Sequence, residues 1–142
     1  MVDCSGLSEI ASTKSDNLKS LYLDRLSKGI IGVPTCVWQE FQELYEDQAV
    51  ALEPYVARKI NMKKRYNVGA ASIADKTNSR FSQSPYDCHS DLYAASICSI
   101  EKYTLLTTSS QLKGYKDMAC CEVSELVAWA NGQGTATKKK TD

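Results

Sequence analysis

Three acidic residues, Asp3, Glu40 and Asp91, lie near the points where short apolar segments give way to helical patterns. In an open parallel sheet, ligands bind in the crevice beyond the carboxyl ends of the strands, and acids at successive strand-to-helix junctions converge there. A desolvated carboxylate beside an apolar run is costly unless it is paired or binds a cation. The placement therefore predicts one cation site built from carboxylates that are far apart in the sequence.

Carboxylate oxygens suit Mg²⁺ or Mn²⁺, hard ions that keep several waters and accept one or two protein carboxylates together with a substrate phosphate. Such an ion could activate water for attack on a phosphodiester. Other hydrolytic chemistries fit less well, because His89 is the single histidine and the chain contains no GxSxG or GxxxxGK[ST] run. The residues favour metal-assisted hydrolysis.

Short apolar runs alternate with helical spacing along the chain. Strand-like runs lie at residues 1–3, 30–33, 103–107 and 120–123, and helical patterns lie between and after them. Thr35 is a candidate N-cap for a helix whose apolar face contains Val37, Trp38, Phe41, Leu44 and Tyr45. Residues 48–78 are expected to form two helices with a break near residues 67–69. The alternation predicts an α/β fold, a three-layer α/β/α sandwich with a central, mostly parallel sheet.

Size and composition fit one domain. The chain has 142 residues, of which 43% are hydrophobic, and we expect a single domain over residues 1–131 followed by a disordered tail at 132–142. The 17 basic and 17 acidic side chains cancel, so no global field attracts polyanions. The sequence shows neither a signal-peptide pattern nor a long apolar span, which predicts a cytoplasmic protein. Six scattered cysteines without a CxxC pair are expected to be mostly buried thiols.

Four sequence blocks resemble the PIN domain family, in particular VapC-type toxin ribonucleases. DCSGLSE, beginning at Asp3, is similar to the opening acid and helix of that family, and VPTCVWQEF is similar to the second strand and the helix that carries Glu40. SDLYAAS contains Asp91 and is similar to the third acidic block. LLTTSSQL is similar to the strand and loop that usually bear a fourth acid, but Ser109 stands at that position.

The resemblance implies a homodimeric, metal-dependent endoribonuclease, the toxin of a toxin and antitoxin pair. Asp3, Glu40 and Asp91 would hold Mg²⁺ or Mn²⁺ and position water against an RNA phosphodiester. Ser5 would support the first carboxylate. The serine at position 109 removes one charge, which favours a single-metal site or an impaired enzyme, and Asp87 could substitute if its helix begins early enough.

A basic cluster between the second and third acids is the candidate RNA-binding surface. Its members are Arg58, Lys59, Lys63, Lys64 and Arg65. The same pattern is common on the solvated face of an amphipathic helix, whereas phosphate contacts would make affinity depend on salt.

Two alternatives remain open from the residues. A catalytically degenerate PIN-like protein would act as a binding or interaction module, and loss of the fourth acid is a change that such a protein would show. A receiver-like phosphoacceptor domain also places acids at strand ends, but it would carry an acidic pair near its first strand, where Asp3 stands alone.

Overall fold

The computed structural model describes residues 1–76, 90–118 and 121–132, except for the side chains of 74–76, 90, 91 and 118. The helices are α1 (Cys4–Ser12), α2 (Asp16–Ser27), α3 (Thr35–Leu44), α4 (Glu46–Leu52), α5 (Lys64–Lys76), α6 (Ser90–Glu101), α7 (Ser109–Met118) and α8 (residues 126–132), and a short 3₁₀ helix (Glu53–Tyr55) follows α4. The strands are β1 (Val33–Pro34), β2 (Lys59–Ile60), β3 (Leu105–Thr107) and β4 (Val123–Glu125).

The strands form two separate parallel pairs. β1 pairs with β2, and β3 pairs with β4 in a register that places Thr107 beside Glu125. The first residues of the chain lie between the pairs: Val2 forms a parallel bridge to Leu106, and its amide donates to the carbonyl of Gly32 at 3.2 Å. Residues 1–3 thus connect the two pairs through backbone hydrogen bonds.

The predicted three-layer sandwich with a central, mostly parallel sheet is wrong. The structure is 69% helical and contains two short two-stranded sheets in the described residues. The reason is visible at residues 30–33, where the amides of Ile30 and Ile31 both donate to the carbonyl of Arg25, at 3.0 and 3.1 Å. These β-branched residues complete the end of α2, and only Val33–Pro34 remains as a strand.

Helix boundaries confirm some sequence signals and correct others. The predicted stop after α2 is confirmed, because Lys28 is its C-cap and Gly29 adopts a φ of 74°, which favours glycine. Thr35 is not the N-cap of α3 but its first residue, and the N-cap is Pro34. The expected break near residues 67–69 is also wrong, because α5 runs through it.

Gly69 explains the uninterrupted course of α5. A Cβ atom at this position would lie 2.4 Å from the Ser96 Oγ, so the glycine permits close contact between α5 and α6 and does not end the helix. The Ser96 hydroxyl is buried there and donates to the carbonyl of Tyr66 at 2.7 Å. The break in the helical region lies earlier, at the 3₁₀ helix and β2.

The main core lies between α1, α2, α3, α6 and the strands. Its largest fully buried side chains include Tyr22, Phe41, Leu7, Ile10, Leu26, Ile31, Leu52, Ile97, Leu105 and Leu126. Leu44 and Tyr45, expected on the buried face of α3, are 61% and 41% exposed. In the described part of the chain, no helix is long and apolar enough to cross a membrane.

Candidate functional site

Asp3 is a buried carboxylate, 1% exposed, at the N-terminus of α1. It directly follows the bridge at Val2, so it lies at the carboxyl end of a parallel strand pairing. Its Oδ1 accepts from the Gly6 amide at 2.8 Å and from the Ser5 hydroxyl at 2.9 Å. The local sequence creates this cap, because an N-cap Asp accepts from the free amides of the first helical turn.

The second oxygen of Asp3 is bound by residues from the other end of the chain. Thr107 Oγ1 donates to Oδ2 at 2.7 Å, and the Tyr115 hydroxyl donates to it at 2.9 Å. Ser5 also reaches this oxygen, at 3.1 Å. Each oxygen of the carboxylate therefore accepts from at least two donors, which compensates for its burial.

A chain of hydroxyl groups continues from this carboxylate toward the surface. The Thr108 hydroxyl donates to Ser5 Oγ at 3.3 Å and lies 3.0 Å from the hydroxyl of Ser110, which is exposed. Ser109, at the position of the missing fourth acid, is the exposed first residue of α7. The site thus presents neutral hydroxyl groups where the resemblance implies a carboxylate.

Two further acids lie near this site: Glu9 interacts with both Asp3 and Glu125, and neither Glu9 nor Glu125 was singled out from the sequence. Burial raises the pKa of Glu9, and the negative charges of Glu125 and Asp3 raise it further. The same environment raises the pKa of Tyr22 to about 12, first by burial and then through Glu9 and Glu125. Glu9 lies inside the DCSGLSE block, one helical turn after Ser5, and this spacing could have identified it from the sequence. No sequence pattern pointed to Glu125.

Two of these groups are buried without a hydrogen bond, among the described residues, that would replace their contact with water. Glu9 Oε2 and the Tyr22 hydroxyl are buried atoms with no hydrogen-bond partner in the described residues. Both atoms lose contact with water and gain no replacement, which costs free energy. The acidic side of the site is therefore locally destabilised, in contrast to the well-satisfied Asp3.

The other predicted site residues are located only in part. Glu40 is half-buried in α3, a helix that packs against both α1 and α6. Asp91 lies in the first turn of α6, but its side chain is outside the described residues, as is the whole of Asp87. Of the predicted site residues, the structure brings Ser5 to Asp3.

The described side chains fit a metal ion only in part. Carboxylate and hydroxyl oxygens at Asp3, Ser5 and Thr107 are the hard donors that Mg²⁺ prefers. Among the side chains that the structure describes, however, no three His, Cys, Asp or Glu residues form a group that could hold a metal. The side chain of Asp91, which the prediction placed in the metal site, lies outside the described residues.

The predicted RNA-binding cluster is exposed, and most of its members contact aromatic rings. Arg58 donates to the Tyr103 hydroxyl at 2.6 Å, and its guanidinium lies 5.1 Å from the centre of that ring. Lys59 lies 5.0 Å from the ring centre of Trp38. Further along the cluster, Lys63 contacts the Tyr66 ring, and Arg65 contacts both Tyr66 and Glu101.

No protein-family model matches the chain, and no curated protein matches it. The resemblance to the PIN domain family therefore stays a prediction.

Proposed function

We propose that this protein is a Mg²⁺- or Mn²⁺-dependent endoribonuclease with Asp3 at the centre of its site. The proposal is supported by one observation above all: a carboxylate that is 1% exposed and held by hydroxyl donors from both ends of the chain, at the carboxyl ends of parallel strand pairings. That is the position in which ligands bind in parallel α/β arrangements. The electrostatic contact with Glu9 adds negative potential on the same side.

The protein residues have distinct roles in this proposal. Asp3, Glu40 and Asp91 would hold the ion, which when bound supplies Lewis acidity toward a phosphodiester and an activated water. Ser5 and Thr107 fix the orientation of the Asp3 carboxylate through their hydrogen bonds to it. The exposed cations of the basic cluster would contact RNA phosphates.

A toxin acting as a homodimer, controlled by a cognate antitoxin in the cytoplasm, belongs to the same proposal. The sequence resemblance is the support for these finer points. Sedimentation velocity of the purified chain measures its oligomeric state directly. A monomer at micromolar concentration would remove the homodimer from the proposal.

One observation favours a second candidate, a degenerate PIN-like binding module. Both oxygens of Asp3 are already occupied by protein donors, which is the arrangement of a structural helix cap. An ion could bind Asp3 only by sharing or displacing some of these hydrogen bonds. Together with Ser109 in place of the fourth acid, this arrangement suits a fold that keeps Asp3 for stability alone.

Cleavage of a labelled RNA separates the two candidates. We expect cleavage with Mg²⁺ or Mn²⁺, its loss in EDTA, and its loss in Glu40→Gln and Asp91→Asn. Ser109→Asp restores the fourth charge and is expected to increase the rate. Asp3→Asn should also abolish cleavage, but this change weakens the cap of α1 as well. Circular dichroism of each variant therefore has to establish that it is folded.

The same set of proteins provides a second readout. An ion that binds only the folded state raises the melting temperature, and the rise should disappear in Glu40→Gln and Asp91→Asn. Cleavage that persists in EDTA would exclude the metal mechanism. No cleavage and no metal-dependent stabilisation in the folded wild-type protein would contradict the nuclease and favour the binding module.

A further inference from the structure

A concave surface lies along α3, α4 and the 3₁₀ helix. It has a cavity volume of about 530 Å³ and is formed by Gln42, Glu46, Ala49, Val50, Glu53 and Pro54; we call it the acidic groove. Gln42 belongs to α3, Glu46, Ala49 and Val50 belong to α4, and Glu53 and Pro54 belong to the 3₁₀ helix. The groove is therefore formed by three consecutive helical elements.

Exposed apolar side chains lie in the groove and on the segments that form it. Val50 lies in the groove and is 71% exposed. Leu44 at the end of α3 is 61% exposed, and Tyr45 and Tyr55 are 41% and 39% exposed. Large apolar side chains concentrated at one surface region and rimmed by polar residues are typical of a protein-interaction site.

The charge of this region indicates what kind of partner it would accept. Glu46 and Glu53 line the groove, and Glu43 and Asp47 are exposed on the same helices. Lys59 lies 3.9 Å from Glu53 and forms a weak, exposed ion pair with it. Two copies of this surface would bring like charges together, which disfavours self-association and favours a cationic occupant.

We propose that the acidic groove binds an amphipathic segment of a partner protein, with apolar side chains on one face flanked by lysine or arginine. Val50 and Ala49 provide the apolar floor, and Glu46 and Glu53 lie where flanking cations would pair with them. This is the helix-in-groove mode of recognition, in which apolar contacts supply affinity and charges supply orientation. The proposal does not depend on the nuclease assignment.

A synthetic amphipathic helix of leucine and lysine is the probe, and the same peptide with glutamate for lysine is its control. We expect the lysine peptide to bind the wild-type chain with one-to-one stoichiometry by isothermal titration calorimetry. Val50→Asp should weaken binding about tenfold or more, because it places a charge against the apolar face of the peptide. Val68→Asp is the matched control, since Val68 is 61% exposed on α5, outside the groove, and should bind as the wild type does.

Substitution by aspartate distinguishes binding in the groove from a general attraction between the peptide lysines and an acidic surface. If lysines of the peptide merely find a negative surface, Val50→Asp and Val68→Asp would both tighten binding, and the proposal is wrong. Absence of binding to the wild type also overturns it. So does a sedimentation shift to a dimer that Val50→Asp abolishes, because the occupant would then be a second copy of the chain.

Discussion

The Tyr115 hydroxyl donates to Oδ2 of Asp3 at 2.9 Å, across a sequence separation of 112 residues. Both side chains are buried, with Tyr115 3% exposed and Asp3 1% exposed. This hydrogen bond ties α7 to the beginning of α1, and Thr107 at the end of β3 shares the same acceptor oxygen. The integrity of the site thus depends on contacts between the two ends of the chain.

Removal of the Tyr115 hydroxyl should therefore destabilise the fold. Tyr115→Phe deletes a buried hydrogen bond to a carboxylate, and we expect a loss of about 1.5 to 3 kcal/mol in the free energy of unfolding. Tyr22→Phe is the matched control, because its buried hydroxyl has no partner among the described residues. That change should be neutral or stabilising by up to about 1 kcal/mol. Urea denaturation measures both, and equal losses in the two variants would contradict a specific role for the Tyr115 hydrogen bond.

Two helical glycines should respond oppositely to the same substitution. Gly69→Ala would place its Cβ 2.4 Å from Ser96 Oγ, which forces α5 and α6 apart or breaks the Ser96 hydrogen bond, and we expect a loss of about 1 to 3 kcal/mol. A Cβ added at Gly114 in α7 would meet no described atom within 4 Å, so Gly114→Ala should stabilise by about 0.5 to 1 kcal/mol. Thermal unfolding compares them, and a destabilised Gly114→Ala would show that this face of α7 is packed against a neighbour.

The stability of the protein should depend on pH through Glu9. Burial raises the pKa of this carboxyl above its ordinary value of 4.5, and the charges of Glu125 and Asp3 add to the effect. The folded state consequently holds the proton of Glu9 more tightly than the unfolded state does. The stability that this proton contributes is fully present below pH 4.5 and is lost as pH rises through the folded-state pKa. Glu9→Gln should match the wild type at low pH and become relatively more stable toward neutral pH. A difference in unfolding free energy that stays constant with pH would rule out this role.

If the basic cluster binds RNA, its members should contribute unequally. Arg65 already pairs with Glu101, whereas Lys63 and Lys64 are exposed beside it. We expect Lys63→Gln and Lys64→Gln each to lower RNA affinity and to reduce the slope of log affinity against log salt by about 0.7 for single-stranded RNA. Lys14→Gln, an exposed position before α2, is the control. Unchanged slopes in both cluster variants would remove these lysines from the RNA surface.

The elements that could be predicted from sequence are those with a local signal. The apolar spacing of α3 placed Val37, Trp38 and Phe41 on its buried face, and all three are buried. The end of α2 followed from Gly29, whose positive φ is a local requirement. The strands were overestimated, because an apolar run such as Ile30–Ile31 can satisfy its amides on a helix as well as in a sheet, and periodicity does not distinguish the two.

The sequence by itself predicted that Asp3 lies where an apolar segment gives way to a helix, and the family resemblance predicted that Ser5 supports its carboxylate. Both features depend on bonds within one helical turn. Only the tertiary structure decided that Thr107 and Tyr115 complete the environment of Asp3 and that Glu125 lies near Glu9. Those contacts join residues separated by most of the chain, and their formation depends on how helices and strands pack, for which no local spacing provides a signal.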